Sequence, residues 1–179
     1  MNRQEHSKTS LFLMEIIIAI LFFSLSSAIC LRLFVSAHLL SEKDENLNNA
    51  LMWSQNLTES FTGCDGRLLM IKNLYPASYL TQSDNESDGS IILYFDDEWN
   101  TVDDELHQAA YEAILYVKKE PASEAYKDVN NYGITLTGDS ITGNIAILDL
   151  RKRTEGFDTI PDDDEFIIFR NRIDHYCMD

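Results

Sequence analysis

The sequence predicts an α+β protein in which one long N-terminal helix packs on an antiparallel β-sheet. An apolar run at residues 11–37 leads, without any helix-breaking residue, into an amphipathic stretch at residues 38–62. Beyond residue 66, short segments rich in β-branched and aromatic residues alternate with turn residues, which is typical of strands. A chain of 179 residues is long enough for this helix and one modest domain, which we place at residues 63–179.

The apolar run is long enough to cross a lipid bilayer. It holds only two formally charged residues, Glu15 and Arg32, and neither Pro nor Gly. A membrane-spanning helix needs about 20 predominantly apolar residues. We therefore expect residues 11–37 to form the transmembrane half of the long helix, after a polar leader at residues 1–10.

Three interpretations of the apolar run compete. A cleaved secretory signal would end at the small residues 26–28, but the apolar pattern continues beyond them and Glu15 would interrupt the signal. A lipoprotein signal would end at Cys30, but Ile29 stands where a small residue is expected. A retained N-terminal anchor meets neither objection, and we favour it.

The second half of the helix carries an apolar stripe at spacings of three, four and seven residues. Trp53 lies off the centre of this stripe, and Gly63 and Gly66 are placed to end the helix. A membrane helix followed by a separate short helix is the alternative. The residues of the stripe are Leu40, Leu47, Ala50, Leu51, Leu57 and Phe61.

The head is predicted to be an antiparallel sheet, one face of which covers the amphipathic half of the helix. Residues 137–140 read as a turn, which predicts a hairpin between the third and fourth strands. Acidic loops are expected at residues 82–89, 96–105 and 158–165. The predicted strands are residues 90–95, 111–118, 132–137, 144–151 and 165–173.

The charge balance excludes one class of partner. The chain has 14 basic and 30 acidic residues, for a net charge of −16. Such a chain repels phosphate backbones, so no nucleic-acid partner is expected. Its four His are scattered, and no HExxH, GxSxG, P-loop or dinucleotide-binding pattern occurs. With so many carboxylates, a close pair carries no specificity, and we expect no enzymatic activity and no catalytic residues.

Two acidic clusters could supply oxygen ligands to calcium. They are residues 96–98 and the run of Asp162, Asp163, Asp164 and Glu165. Neither has the spacing of an EF-hand loop, and a solvated loop is the favoured interpretation. We therefore expect no cofactor and no metal, with calcium at residues 162–165 as the weaker alternative.

The N-terminus resembles the class III signal of type IV pilins, pseudopilins and related filament subunits. The polar leader MNRQEHSKTS carries Arg3 and Lys8, a hydrophobic run starts abruptly at Leu11, and Glu15 is its fifth residue. The resemblance implies a pilin-like fold and cleavage by a prepilin peptidase between Ser10 and Leu11. It further implies that Glu15 serves assembly, by neutralising the new Leu11 ammonium of a neighbouring subunit. In low dielectric, such a pair fixes register more than it adds stability.

The sequence departs from the family pattern at three positions. Ser10 stands where Gly is usual, and Leu11 stands where an aromatic residue is frequent. Arg32 stands where many major pilins have Pro, which argues against a major pilin. The resemblance therefore implies a non-enzymatic minor pilin or pseudopilin of a bacterial type II secretion, type IV pilus or competence apparatus. Its implied partners are the prepilin peptidase, other pilin-like subunits, the inner-membrane assembly platform and membrane lipid. The alternative is an uncleaved, signal-anchored extracytoplasmic binding or sensory protein.

The charge bias also predicts orientation. Arg3 and Lys8 favour a cytoplasmic N-terminus, which places the acidic head outside a single-pass cell membrane or, after extraction, in a pilus or pseudopilus. That compartment permits disulfides, although three Cys are too few for a disulfide scaffold. Cys30 is expected to be a small apolar residue of the membrane run. Many pilins tie down their C-terminal region with a disulfide, so a Cys64–Cys177 bond competes with two free thiols.

Overall fold

The computed structural model describes residues 3–82, 87–103, 109–130, 132–133, 136–153 and 155–177. The chain divides into two compact units, residues 1–45 and residues 46–179. Helix α1 (Arg3–Gly63) begins in the first unit and continues as the first element of the second. The α+β class is confirmed, as is the prediction of one long helix in place of two.

The second unit is built on a six-stranded antiparallel sheet. The strand order is β1-β2-β4-β5-β6, and the short strand β3 pairs with β2. The elements that follow α1 are α2 (Leu68–Leu74), β1 (Tyr79–Gln82), β2 (Gly89–Phe95), β3 (Thr101–Val102), β4 (Tyr111–Pro121), α3 (Ala122–Ala125), α4 (Lys127–Asn130), β5 (Asp139–Asp149), a 3-10 turn (Asp164–Phe166) and β6 (Ile167–Cys177).

Each central strand buries side chains on both faces of the sheet, because alternate residues of a strand point to opposite sides. On strand β4, Ala113 and Leu115 belong to a large apolar cluster that includes the helix α1, whereas Ile114 belongs to a second, smaller cluster. We call the first the inner face and the second the outer face. The buried residues of the outer-face cluster are Ile92, Tyr94, Ile114, Leu148 and Leu150.

Residues 46–63 of helix α1 cover the inner face. Ala50, Leu57 and Phe61 are fully or almost fully buried there. Trp53, expected off the stripe, packs against the same cluster with its ring centroid 4.6 Å from that of Phe95. The buried side of the helix is therefore rotated from the predicted stripe, and two members of that stripe, Leu47 and Leu51, remain 40% and 42% exposed.

The helix ends in a left-handed turn that needs glycine. Asp65 and Gly66 both have positive φ, of 51° and 69°, and the Gly66 N–H donates to the Phe61 carbonyl at 2.9 Å. This bond satisfies a carbonyl that the helix itself leaves without a partner. The backbone of Gly66 also lies close to strand β5, since a Cβ there would be 2.5 Å from the Ile141 Cγ2 atom.

Several predicted strand boundaries are wrong. Strand β5 begins at Asp139, five residues before its predicted start, and β6 runs over Ile167–Cys177 where residues 165–173 were expected. The described residues of the predicted strand 132–137 form turn and irregular structure, and the rest of it lies outside the described residues. The predicted hairpin is therefore wrong: β5 pairs with β4 and β6 instead.

The misplaced start of β5 has a physical cause. Asp139 and Ser140 belong to the predicted turn 137–140, and Gly143 lies just before the predicted strand, yet the partner strands on both sides hold residues 139–143 extended. Strands β1 and β3 were not predicted, because runs of four and two residues carry too little periodicity to be recognised.

We predict that Gly66→Ala destabilises the protein by about 2 to 4 kcal/mol, from left-handed strain together with the contact to Ile141. The free energy of unfolding of the full chain in detergent, followed by tryptophan fluorescence during denaturant titration, measures this loss.

Gly63→Ala is the matched control, since its φ is not positive and a Cβ there meets nothing within 4 Å. It should be neutral or stabilise by about 0.5 to 1 kcal/mol, as alanine does in a helix. Equal effects of the two substitutions would contradict the assignment of strain to Gly66.

Candidate functional site in the N-terminal helix

Residues 11–37 of helix α1 present a predominantly apolar surface. Every side chain in this range is exposed except that of Ser27, which is half-buried. The exposed fraction of its large apolar side chains runs from 39% at Ile16 to 74% at Phe23. Apolar surface on this scale is stable only when lipid or other protein chains remove it from water.

The same residues meet the requirements of a membrane span. Among the described residues, one helix is long and apolar enough to cross a membrane, the Ser10–Gly63 stretch, with a mean hydropathy of 2.4 over its most apolar window. Helices this apolar also occur in the cores of soluble proteins, where they are mostly buried. Here none of that window is buried, so the helix is suited to span a membrane.

The residues of the expected cleavage and assembly site lie on this helix. The Ser10–Leu11 bond is inside helix α1, and both side chains are exposed. Glu15 follows Leu11 by four residues, about one helical turn, so the two side chains lie on the same side of the helix. Within the part of the chain that the structure describes, no hydrogen bond or ion pair reaches the Glu15 carboxylate.

Asn46 fixes the start of the head's own helical segment. Its carboxamide oxygen accepts hydrogen bonds from the Tyr111 hydroxyl at 2.8 Å and from the Trp99 indole N–H at 3.3 Å. The two rings stack with centroids 4.1 Å apart, and the Arg151 guanidinium lies 5.2 Å from the centroid of Tyr111. Trp99 adopts a positive φ of 62°, a conformation costly for a bulky residue that these contacts offset.

The sequence did not predict the hydrogen bonds of Asn46. This residue lies at the edge of the apolar stripe, where a polar side chain is expected to be exposed to solvent. A usable signal was the single Trp in an otherwise acidic loop, because an indole N–H withdrawn from water needs an acceptor.

The two cysteines of the head, Cys64 and Cys177, lie at the opposite end of this helical segment from Asn46. Cys64 is 6% exposed and Cys177 is half-buried against the same inner-face cluster, and the structure shows both as free thiols. Near them in the sequence, Asp65 and His175 are close together, with 3.9 Å between Asp65 Oδ1 and His175 Nε2. The side chains of residues 175 and 177 lie on the same face of β6. The fold thus brings both cysteines to one end of the sheet.

The two acidic clusters stabilise their own loops. The Asp96 carboxylate accepts bonds from the Asn100 side chain and from the backbone N–H groups of Glu98 and Asn100. The Asn100 side chain and backbone hold the pKa of Asp96 below its ordinary value.

In the second cluster, Asp163 accepts from the Glu165 N–H, and Asp164 lies 3.7 Å from Arg170. Among the described residues, no three His, Cys, Asp or Glu side chains form a group that could hold a metal. Calcium binding at residues 162–165 stays a prediction, since the described residues there do not form a group of ligands.

Comparisons of the chain with protein-family models, with curated proteins and with solved structures find no match.

We predict that Cys64 and Cys177 form a disulfide once the head is exported. The bond would close a loop of more than 100 residues, and loss of chain entropy in the unfolded state is worth about 4 to 5 kcal/mol for such a loop. Peptide mapping of the exported protein without reductant should recover the two cysteine peptides linked.

Cys30 is the internal control, because it lies in the apolar run and should be recovered as a free thiol. Cys64 is only 6% exposed, so alkylation is carried out on the denatured, unreduced protein. Complete alkylation of both head cysteines in the exported protein, before any reduction, would rule out the bond.

Proposed function

We propose that the protein is a non-enzymatic pilin-like subunit, a minor pilin or pseudopilin of a type II secretion, type IV pilus or competence apparatus. The observation that carries the proposal is one helix with two kinds of surface. Residues 11–37 expose predominantly apolar side chains on every side of the helix, and residues 46–63 bury one side in an α+β head. A subunit that stands in a membrane before it assembles needs both surfaces on one chain.

The positions of the charges support the same function. The distance from Leu11 to Arg32 is about 30 Å along a helix, close to the thickness of a bilayer's hydrocarbon core. The lone carboxylate inside this span, Glu15, is costly in lipid and lacks a described partner in its own chain. The proposed partner is the ammonium group that cleavage creates on Leu11 of an adjacent subunit.

The proposed mechanism has three steps. A prepilin peptidase removes residues 1–10 on the cytoplasmic side, which places a new ammonium on Leu11. The subunit then associates with other pilin-like subunits through residues 11–45, and the inner-membrane platform raises it out of the lipid. The ammonium–carboxylate contact sets the axial register of the helices, because a shifted register would leave two charges unpaired in low dielectric.

A second candidate is an uncleaved, signal-anchored extracytoplasmic binding or sensory protein. Ser10 favours it, since a Gly usually precedes the cleavage site in the family that the leader resembles. A signal-anchored protein would also need the apolar helix and the acidic head, but it would have no function for Glu15.

Cleavage at Ser10–Leu11 separates the two candidates. Co-expression with an active prepilin peptidase should leave Leu11 as the N-terminus, as measured by the intact mass of the purified chain. Ser10→Gly should speed the cut, because it removes the last side chain before the scissile bond. Ser10→Leu should block the cut by adding bulk there.

A catalytically inactive peptidase provides the control, and a known substrate shows that the active enzyme works. Retention of Met1 in the chain under those conditions would support the simple anchor and contradict the filament subunit.

We further predict that Glu15→Gln abolishes incorporation into filaments while leaving membrane insertion intact or improved. Insertion gains up to about 2 to 3 kcal/mol when the charge is removed from a membrane helix. Assembly loses about 3 to 5 kcal/mol, as when one partner of a buried ion pair is removed. Membrane level and filament content, measured in the same cells, separate the two effects.

Asp44→Asn is the matched control, since it removes a carboxylate from an exposed position of the same helix beyond the apolar run. It should insert and assemble like the wild type. Incorporation of Glu15→Gln at the wild-type level would refute the pairing mechanism.

A further inference from the structure

A segment of the head closes over the outer face of the sheet. The connection from β5 to β6 brings Phe157, Ile160 and Phe166 onto the outer-face cluster. Arg153 lies over the Phe157 ring at 4.0 Å from its centroid, and Phe157 and Phe166 pack with centroids 5.8 Å apart. We call the described residues of this connection, 151–153 and 155–166, the cover segment.

One carboxyl group lies beneath the cover segment. Glu112 of strand β4 is fully buried, and both of its carboxylate oxygens accept the Phe157 backbone N–H, at 2.9 and 3.1 Å. The cover segment passes so close that a Cβ on Gly156 would lie 2.8 Å from the Tyr94 hydroxyl and 3.3 Å from Glu112 Oε1. The strand, the carboxyl group and the cover segment are therefore in close contact.

The groups that face Glu112 can be named for each element around it. Strand β2 contributes the Tyr94 hydroxyl, which hydrogen-bonds to the carboxyl group, and β5 contributes the apolar side chain of its cross-strand partner, Leu148. The cover segment contributes the Phe157 N–H, the positive charge of Arg153 and the negative charge of Asp158. Two neutral donors and two opposed charges do not replace the hydration that a buried carboxylate loses.

We propose that the cover segment is a proton-controlled latch, docked on the outer face while Glu112 holds a proton and released when this carboxyl group ionises. The neutral carboxyl accepts the Phe157 N–H without the cost of a buried charge. The ionised carboxyl is more stable in water, and it reaches water when the segment lifts. Release exposes the apolar residues beneath, such as Tyr94 and Leu148.

The direction of the pH effect follows from proton linkage. Burial, opposed by the Phe157 N–H and the Tyr94 hydroxyl, raises the pKa of Glu112 from 4.5 to about 7. The docked state therefore binds more protons than the released state between these values, and docking weakens as pH rises. The stabilisation is fully present below about pH 4.5 and is lost as pH rises through about 7.

Amide hydrogen exchange of the full chain in detergent tests the latch. The protection factor of the Phe157 amide, corrected for the intrinsic effect of pH, should fall about 30-fold between pH 5.5 and pH 8.5. Amides in the centre of strands β4 and β5 report on the sheet and should keep their protection over the same range. Local release is thereby distinguished from unfolding of the head.

Glu112→Gln should make the protection of the Phe157 amide independent of pH, because the Gln carbonyl accepts the same N–H and cannot ionise. Glu120→Gln is the matched control, on the same strand and the same face but paired with Lys118 away from the cover segment, and it should keep the wild-type pH dependence. Gly156→Ala should lower protection of the segment at every pH, since its Cβ collides with Tyr94.

Two results would overturn the latch. One is a Phe157 protection factor that stays constant between pH 5.5 and pH 8.5 in the wild type. The other is an unchanged pH dependence in Glu112→Gln. The test does not depend on cleavage or filament assembly, so the latch and the proposed function can fail separately.

Discussion

The structure of the head depends on the burial of one side of residues 46–63 against the inner face of the sheet. Fully burying one large apolar side chain is worth about 1.5 to 3 kcal/mol, and Leu57 and Phe61 are among those buried. Directional contacts then fix where the helical segment lies. At one end, the Asn46 carboxamide oxygen accepts a hydrogen bond from the Tyr111 hydroxyl. At the other end, the backbone of Gly66 packs closely against Ile141. The apolar contacts provide the stability, and these two ends provide the register.

Since both faces of the central strands are apolar, a single helix cannot complete the head. The outer face needs a second cover, and it receives the segment between β5 and β6 in place of another long helix. A segment with little regular structure has few backbone hydrogen bonds of its own, so individual side-chain contacts decide whether it stays docked. Glu112 and Arg153 make such contacts, with the Phe157 N–H and the Phe157 ring.

The sequence was sufficient for the features that repeat along the chain. The apolar run, the continuous helix and strands β2 and β4 all have a period or a length that local chemistry enforces. It was insufficient where a tertiary contact overrides local preference: Asp139 and Ser140 belong to the predicted turn 137–140 but are extended between β4 and β6. Asn46 and Glu112 escaped notice because neither residue type reveals that it is withdrawn from water. Ser10, Leu11 and Glu15 could be singled out because their signal is local.

Two carboxylates in apolar surroundings illustrate how differently one chain can treat a costly charge. Glu112 has donors within its own fold, the Phe157 N–H and the Tyr94 hydroxyl, so its state is set locally by protonation. Glu15 has no such donor among the described residues, and a membrane offers none at hydrocarbon depth. A carboxylate that finds no counter-charge in its own chain needs one from another molecule. The proposed cleavage would place such a cation, the N-terminal ammonium of a neighbouring subunit, at the depth of Glu15 in the membrane. The proposed intermolecular contact would give Glu15 the counter-charge that the described residues do not supply.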